Sequence, residues 1–303
     1  MDANLIFATF NSVLRSTTPI MMAALASAIC NRVGVFNVAL EGQLLIGSFA
    51  AIAVNWYTGS ILLAVLAGVL AGGVIGLLVG VLQVRYKAAD MVVGTSINLF
   101  ITALTGILLS ILFGVKGGFK DPALLSLRKI EVPIIKDIPY LSVLLRNLTI
   151  MDYLAYVIAI LMFIYLFKTV WGYHLLSVGI KKDAAESMGL NSQGIQIIAV
   201  LCSGLLCGYG GVVLSMGQVT LFSEGMTAGR GFIGMAACNL GAGNPVLIII
   251  SSLFFGFCDA FASIAQNAIP SQFTQSVPYI ATVLALILFS NRGKKKLNIK
   301  RVK

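Results

Sequence analysis

Residues 31–47 read Asn-Arg-Val-Gly-Val-Phe-Asn-Val-Ala-Leu-Glu-Gly-Gln-Leu-Leu-Ile-Gly and set a carboxylate, Glu41, at the mouth of a long apolar run. From Gly42 to Tyr57 no further charge appears. An ionised Glu at or inside a bilayer core costs on the order of a few kcal/mol on insertion scales. A chain keeps such a group if it sits at the interface, faces a wet cavity, or caps the start of a helix. In a membrane-embedded chain, Glu41 takes one of these three places.

The 303 residues are 58% hydrophobic and only 11% charged, with a mean hydropathy of +0.97. A soluble domain carries about 25% charged residues, and no water-soluble core could hide this much apolar surface. Charge-free stretches run from Gly42 to Val84, Met91 to Val115, Tyr153 to Phe167, Gly189 to Ser223, Gly231 to Cys258 and Ala260 to Asn291. A helical crossing takes about 20 apolar residues, so the longest stretches hold two crossings, or one crossing and a re-entrant piece. The composition specifies an all-α polytopic membrane protein of about 8–10 transmembrane segments, some short or broken. A β-barrel would instead show short alternating segments.

The net charge of +10 is concentrated at the C-terminus, where Arg292, Lys294, Lys295, Lys296, Lys300, Arg301 and Lys303 follow one another without an acid. A basic cluster after a last helix is what the positive-inside rule predicts for a cytoplasmic end, in contact with anionic membrane lipids. It is not read as a nucleic-acid site. The start, Met-Asp-Ala-Asn, has no basic n-region, so the first apolar helix is expected to be retained. The five cysteines lie singly in apolar runs with no Cys-x-x-Cys pair, and are read as small buried side chains rather than a disulfide or metal set.

Nine apolar segments follow, near 16–31, 37–57, 61–83, 91–114, 152–170, 196–217, 228–242, 245–262 and 275–291. They divide the chain into a transmembrane domain over 1–291 and a basic cytoplasmic tail over 292–303. Counting back from that tail puts Arg85–Asp90 and a coupling loop over 172–195 in the cytoplasm, and a loop over 116–151 outside. The segment 226–240, punctuated by Gly225, Gly229, Gly231 and Gly234, is too short for a comfortable span. Broken helices at membrane depth survive where they are buried in protein or line a cavity. Ile46-Gly47-Ser48-Phe49-Ala50 faintly echoes Ile233-Gly234-Met235-Ala236-Ala237, as in transporters built from internal repeats. Gly68, Gly72, Gly76 and Gly80 recur every four residues, a small-residue ridge suited to close helix packing within the chain or at a subunit interface.

Enzymatic signals are absent from the sequence. There is one histidine, His174, and no His-Glu-x-x-His, Gly-x-Ser-x-Gly or Walker-type loop. No catalytic residue, metal ligand or bound cofactor is assigned to the chain. Four ionisable residues border or enter apolar runs: Glu41, Glu224, Arg230 and Asp259. Glu224 and Arg230 flank Gly-Met-Thr-Ala-Gly, so an ion pair bracing that bend stands beside a place on the substrate path. Asp259 fits either the path or a helix end. Asn37, Gln43, Asn98, Thr102 and Gln218 add neutral hydrogen-bonding capacity, which suits an uncharged polar ligand or, equally, interhelical bonds. The candidates for lining or gating a path are thus Asn37, Glu41, Asn98, Glu224, Arg230 and Asp259. On the soluble side, Asp183-Ala184-Ala185-Glu186 leading to Gly189 reads as a short charged helix with a glycine stop.

The spacing in Asn31–Gly47, together with Asp183-Ala-Ala-Glu-Ser-Met-Gly-Leu-Asn191, Ser203-Gly-Leu-Leu-Cys-Gly-Tyr-Gly-Gly211 and Gly229-Arg-Gly-Phe-Ile-Gly-Met-Ala-Ala237, resembles the permease subunits of ABC importers in the ribose/branched-chain amino-acid permease superfamily. Within it the chain is most similar to the short permease of bacterial nucleoside importers that use a basic-membrane-lipoprotein type binding protein. The resemblance covers nearly the whole chain. One departure is Asn31-Arg32, where that family usually has Glu-Arg, which removes a possible ion pair. The resemblance implies a multi-pass protein of the bacterial plasma membrane. It implies that a cytoplasmic ABC ATPase, carrying ATP and Mg, docks on Lys181, Lys182, Asp183, Ala184, Ala185, Glu186, Ser187, Met188 and Gly189. It implies an extracellular lipoprotein that delivers a nucleoside, and a second, longer homologous permease that shares the path. The competing readings are a simple-sugar ABC permease and an ion-coupled carrier relaying through Asp259 or Glu224. If the chain is ATP-driven, Glu41 needs no relay role, and the expectation is a carboxylate at a cytoplasm-proximal helix start, braced by Arg32 or Asn37.

Overall fold

The computed structural model of the chain describes residues 3–129, 148–265 and 280. In a hydrocarbon medium every backbone polar group must find its partner within the protein, which selects helices. Among the described residues, six helical stretches are long and apolar enough to cross a membrane: Thr9–Arg32, Ile61–Arg85, Asp90–Phe113, Ile150–Lys168, Ser192–Val219 and Pro245–Ala265. The elements in order are α1 (Ala3–Arg32), α2 (Leu40–Thr58), α3 (Ile61–Gly80), α4 (Asp90–Phe113), β1 (Gly118–Phe119), α5 (Ile150–Lys168), α6 (Val170–Ile180), α7 (Lys182–Ser187), α8 (Ser192–Val212), β2 (Phe222–Ser223), α9 (Arg230–Leu240) and α10 (Pro245–Ala265). Wider π-helical turns extend α3 through Arg85 and α8 through Val219. The protein is an all-α polytopic membrane protein. Each of the first eight apolar segments corresponds to one helix, and the ninth, 275–291, lies outside the described residues except at 280, as does the basic tail.

The centre of the fold is α8, packed against α1, α2 and α3. The glycine ridge of α3 explains how two backbones approach so closely there. A Cβ on Gly76 would meet Val200 O at 2.7 Å, and one on Gly208 would meet Gly68 O at 2.6 Å. Gly47 of α2 enters the same seam, its Cβ position 2.7 Å from Gly208 Cα. The ridge is therefore an intrachain packing surface, and it lets small residues replace the hydrophobic drive that lipid does not supply. Gly68, Gly72, Gly73 and Gly76 are buried while Leu62, Leu63, Leu66 and Leu70 stand exposed, as expected of one face on protein and one on lipid.

The two ends of the bundle differ. At one end α1, α3 and α8 meet: Gln196 Nε2 donates to Val33 O (3.0 Å), and Gly80 packs on Ile197. Gly179 of α6 crosses Gly34 so tightly that a Cβ there would lie 3.1 Å from Gly34 N. Residues 85–90 and 174–193 share this end, which carries α7. At the other end β1 and β2 pair antiparallel, Gly118 opposite Ser223 and Phe119 opposite Phe222. Phe113 and Phe119 stack there at 4.0 Å, with Trp56 edge-on to both; the amphipathic ring of Trp56 is of the kind a membrane boundary favours. Residues 116–129 lie at this end, away from residues 85–90 and 174–193. Residues 130–147 of that loop lie outside the described part.

Candidate functional site

Chain direction fixes the depth of Glu41. Asn37 Nδ2 donates to Ser203 Oγ (3.0 Å), and Ser48 Oγ donates to Gly211 O (2.9 Å). Glu41 is therefore level with the middle of the helical stretch Ser192–Val219. By the 1.5 Å rise that point is about 20 Å from either end. The stretch Val33–Ala39 enters the bundle without helical structure, and α2 starts inside it rather than at its edge. From the other side, the chain descends from β2 and begins α9 at Arg230, at this same depth. Asn31 Nδ2 lies 3.5 Å from Cys238 Sγ, so α9 runs from the middle toward the α7 end, while α2 runs toward the hairpin end. The two segments of the sequence echo, 46–50 and 233–237, thus lie on helices that begin together and diverge.

Glu41 joins these two broken elements. Its Oε1 accepts the N–H of Gly229 (2.8 Å) and its Oε2 the N–H of Gly231 (2.7 Å). Glu41 stands in the first turn of α2 as expected, but at mid-depth rather than near the cytoplasmic face, and its carboxylate serves α9, whose orphan N–H groups and positive dipole end it satisfies. The expected bracing by Arg32 or Asn37 is not found. Arg32 donates to Leu166 O (2.9 Å) and lies over the Phe167 ring at 4.4 Å. Asn37 turns toward Ser203 and Gln43 (3.3 Å) and accepts from Ala39 N. Both are occupied elsewhere.

Asn98 repairs the break at α2. Its Oδ1 accepts from Gly42 N (2.8 Å) and its Nδ2 donates to Val38 O (2.9 Å). Beyond α9, Arg230 Nη2 contacts Asp259 Oδ2 of α10 at 3.0 Å, and the two side chains are 16% and 18% exposed. Arg230 Nη1 also caps Met226 O. The expected Glu224–Arg230 pair is thus replaced by Arg230–Asp259, because the helical turn after Gly229 aims Arg230 at α10. Glu224 instead accepts from Gly117 N at 3.0 Å and ties the hairpin to the approach of α9.

Four of the six sequence candidates, Asn98, Glu41, Arg230 and Asp259, form one transverse row across α4, α2, α9 and α10. Asn37 is 2% exposed and faces α8, while Glu224 lies nearer the hairpin. Among the neutral candidates, Thr102 Oγ1 donates to Asn98 O and Gln218 Nε2 to Arg15 O, which makes Gln218 an interhelical tie. The backbone N–H groups of Gly229 and Gly231 leave no side-chain signal of this role in the sequence, and Ser203 is a lone hydroxyl in an apolar run. Within the row the charges are matched: Arg230 by Asp259, and Glu41 by the N-terminus of α9.

A model of the branched-chain amino acid transport system / permease component family matches residues 9–289. The chain belongs to this permease family. The permease is 33% identical over 294 residues to the nucleoside ABC transporter permease protein NupC of Lactococcus lactis, covering 93% of this chain and 92% of that one. It is 31% identical to the guanosine ABC transporter permease protein NupQ of Bacillus subtilis over 91% and 89% of the two chains. It is 25% identical to a second Lactococcus lactis nucleoside permease, NupB, over 93% of this chain but 78% of that longer one. No solved structure matches the permease significantly. As a multi-pass membrane protein of this family it serves transport, with an ATPase and a substrate-binding protein as the family's partners.

At the α7 end, the local geometry of 181–189 follows the sequence closely. Gly189 sits at φ +84, in the left-handed region that favours glycine. Gly189 N donates to Glu186 O (2.9 Å) and Leu190 N to Ala185 O (3.1 Å), the paired bonds of a Schellman stop. Only Ala185 of α7 is buried, and the apolar Ile180 and Met188 stand 74% and 84% exposed at its two ends.

Proposed function

We propose that this permease is the membrane subunit of an ATP-driven importer that carries a nucleoside, purine or pyrimidine, delivered by an extracellular binding lipoprotein. The observation that carries the substrate class is the transverse row at mid-depth. It is polar, yet each charged member has an internal partner, so it suits a neutral ligand with hydroxyls and ring nitrogens. The nucleoside names of the relatives at 33% and 31% identity support the same reading. A simple sugar is also neutral and hydroxylated, and remains the second reading on that same charge balance.

The permease itself does no chemistry on ATP. A cytoplasmic ATPase, with ATP and Mg, docks on Lys181–Gly189, so that the α7 end faces the cytoplasm of a bacterial cell, and the charge of the basic tail supports the same side for the C-terminus. The exposed Ile180 and Met188 beside Lys181, Asp183 and Glu186 support that contact, since apolar anchors rimmed by charge suit a protein partner. A second, longer homologous permease completes the path. Its support is that Lactococcus lactis has both NupC and NupB, of which the longer is only 78% covered. ATP binding then shifts the population between two openings through differential binding, with no covalent step here.

Uptake of labelled guanosine, adenosine, cytidine and ribose by cells with and without this chain tests the proposal. Loss of nucleoside uptake on deletion is expected. Unchanged uptake of every nucleoside together with loss of ribose uptake would replace it by the sugar reading.

A further inference from the structure

The half-helix α9 exposes a single flank. Gly231, Ile233, Gly234, Ala237 and Cys238 are buried against α1, α2 and α10, whereas Phe232 is 40% exposed and Asn239, two turns on, shares its side. The aromatic ring of Phe232 at the mid-depth break is thus only partly covered. Irregular backbone at this depth needs protein or a cavity beside it, and the loop before Arg230 is of that kind.

The other helix held at the start of α2 is α4. Successive residues of α2 hold the two flanking helices, Glu41 holding α9 and Gly42 holding Asn98, so the notch between α4 and α9 opens directly over the start of α2. The side of α4 turned toward the approach of α9 is marked by Gly106, whose Cβ position lies 3.6 Å from the Glu224 carboxyl. On the helical wheel this side also carries Thr95 and Thr102, both exposed. One wall of the notch is thus a row of hydroxyls with an amide, and the other is a phenyl face.

The geometry points to this notch as the nucleobase subsite of the permease, with Phe232 stacking on the base and Thr95 and Thr102 bonding the polar edge or the ribose. The inference rests on the nucleoside reading above. The ring faces of all bases stack on an aromatic side chain, and the wider purine overlaps more of it. Both threonine hydroxyls already donate to their own helix, to Met91 O and Asn98 O, so each offers the ligand a free acceptor. The internally paired Glu41, Arg230 and Asp259 leave no uncompensated charge to prefer a phosphorylated ligand.

Cells lacking the chain are complemented with F232W, F232L and T102V, and initial uptake of guanosine and uridine is measured at equal permease abundance. F232W should keep uptake. F232L keeps apolar bulk but loses the aromatic face, and should lose about fivefold or more for guanosine, with a smaller loss for uridine. In a parallel arm, F232C should react with a small hydrophilic thiol reagent beyond the unsubstituted protein, and guanosine should slow the reaction. Equal losses in F232W and F232L with no base dependence, or labelling that guanosine does not alter, would overturn the subsite and indicate a contact with a neighbouring subunit. Absence of both guanosine and uridine transport by the unsubstituted protein would instead overturn the nucleoside reading itself.

Discussion

Glu41 Oε2 lies 2.7 Å from the backbone nitrogen of Gly231, and a Cβ on Gly231 would come within 2.5 Å of Glu41 N. Two helix starts therefore meet through one carboxylate and one missing side chain. The arrangement resembles the anion sites that broken helices form in transporters, except that here the anion is part of the chain. A carboxylate that looks costly in the sequence is stabilising, because it replaces water at N–H groups that lipid could not satisfy.

Replacing Glu41 should accordingly damage folding before it changes substrate choice. Glu41→Gln can retain one acceptor and should cost less than Glu41→Ala, which strands both N–H groups; hydrogen bonds to charged groups contribute about 1.5–3 kcal/mol each. The melting temperature of the purified permease should fall in the order wild type, E41Q, E41A. E41Q protein that melts normally yet changes nucleoside preference would show the role to be ligand contact.

The Arg230–Asp259 pair makes a different prediction, because both side chains are largely buried. Removing one partner of such a pair costs about 3–5 kcal/mol, since the other charge is left unmatched. D259N and R230M should each be severely destabilised, and the double variant should be less impaired than the sum of the two. Additive losses in a thermal-shift cycle would argue that the two charges act separately.

The seam of α3, α2 and α8 predicts which glycines tolerate a methyl group. Gly208→Ala places Cβ 2.6 Å from Gly68 O, so the helices must part; Gly106→Ala meets nothing closer than 3.6 Å. Membrane abundance should fall sharply for G208A and hold for G106A. Equal abundance would mean that the seam can widen without loss.

The sequence made the membrane class, eight of the helical segments, the glycine seam and the stop at Gly189 legible, because each leaves a periodic or compositional trace. Apolar runs reveal helices, four-residue glycine spacing reveals a close crossing, and a glycine after a short charged helix reveals its end. The partners of the charged residues were not legible. Glu224 and Arg230 are six positions apart and were natural candidates to pair, but the left-handed turn at Gly229 (φ +80) swings Arg230 to Asp259, 29 residues away. Likewise the partners of Glu41 are backbone N–H groups 188 and 190 residues distant. A backbone donor has no residue type, so no motif could announce it.

The α7 end yields the last prediction, and it separates shape from charge. Gly189 adopts φ +84 with nothing within 4 Å of its Cβ position, so Gly189→Ala meets no steric clash with neighbours and pays only the left-handed backbone penalty, about 1–2 kcal/mol. That penalty loosens the Gly189 N–Glu186 O and Leu190 N–Ala185 O bonds and should tilt α7 relative to α8. Asp183→Lys with Glu186→Lys leaves the backbone intact and reverses the exposed charge. If this segment docks the ATPase, G189A should weaken the link between ATP hydrolysis and uptake while the complex still assembles. The charge reversal should reduce co-purification of the ATPase itself. Normal assembly and normal uptake in the charge-reversed protein would remove the docking role from Lys181–Gly189.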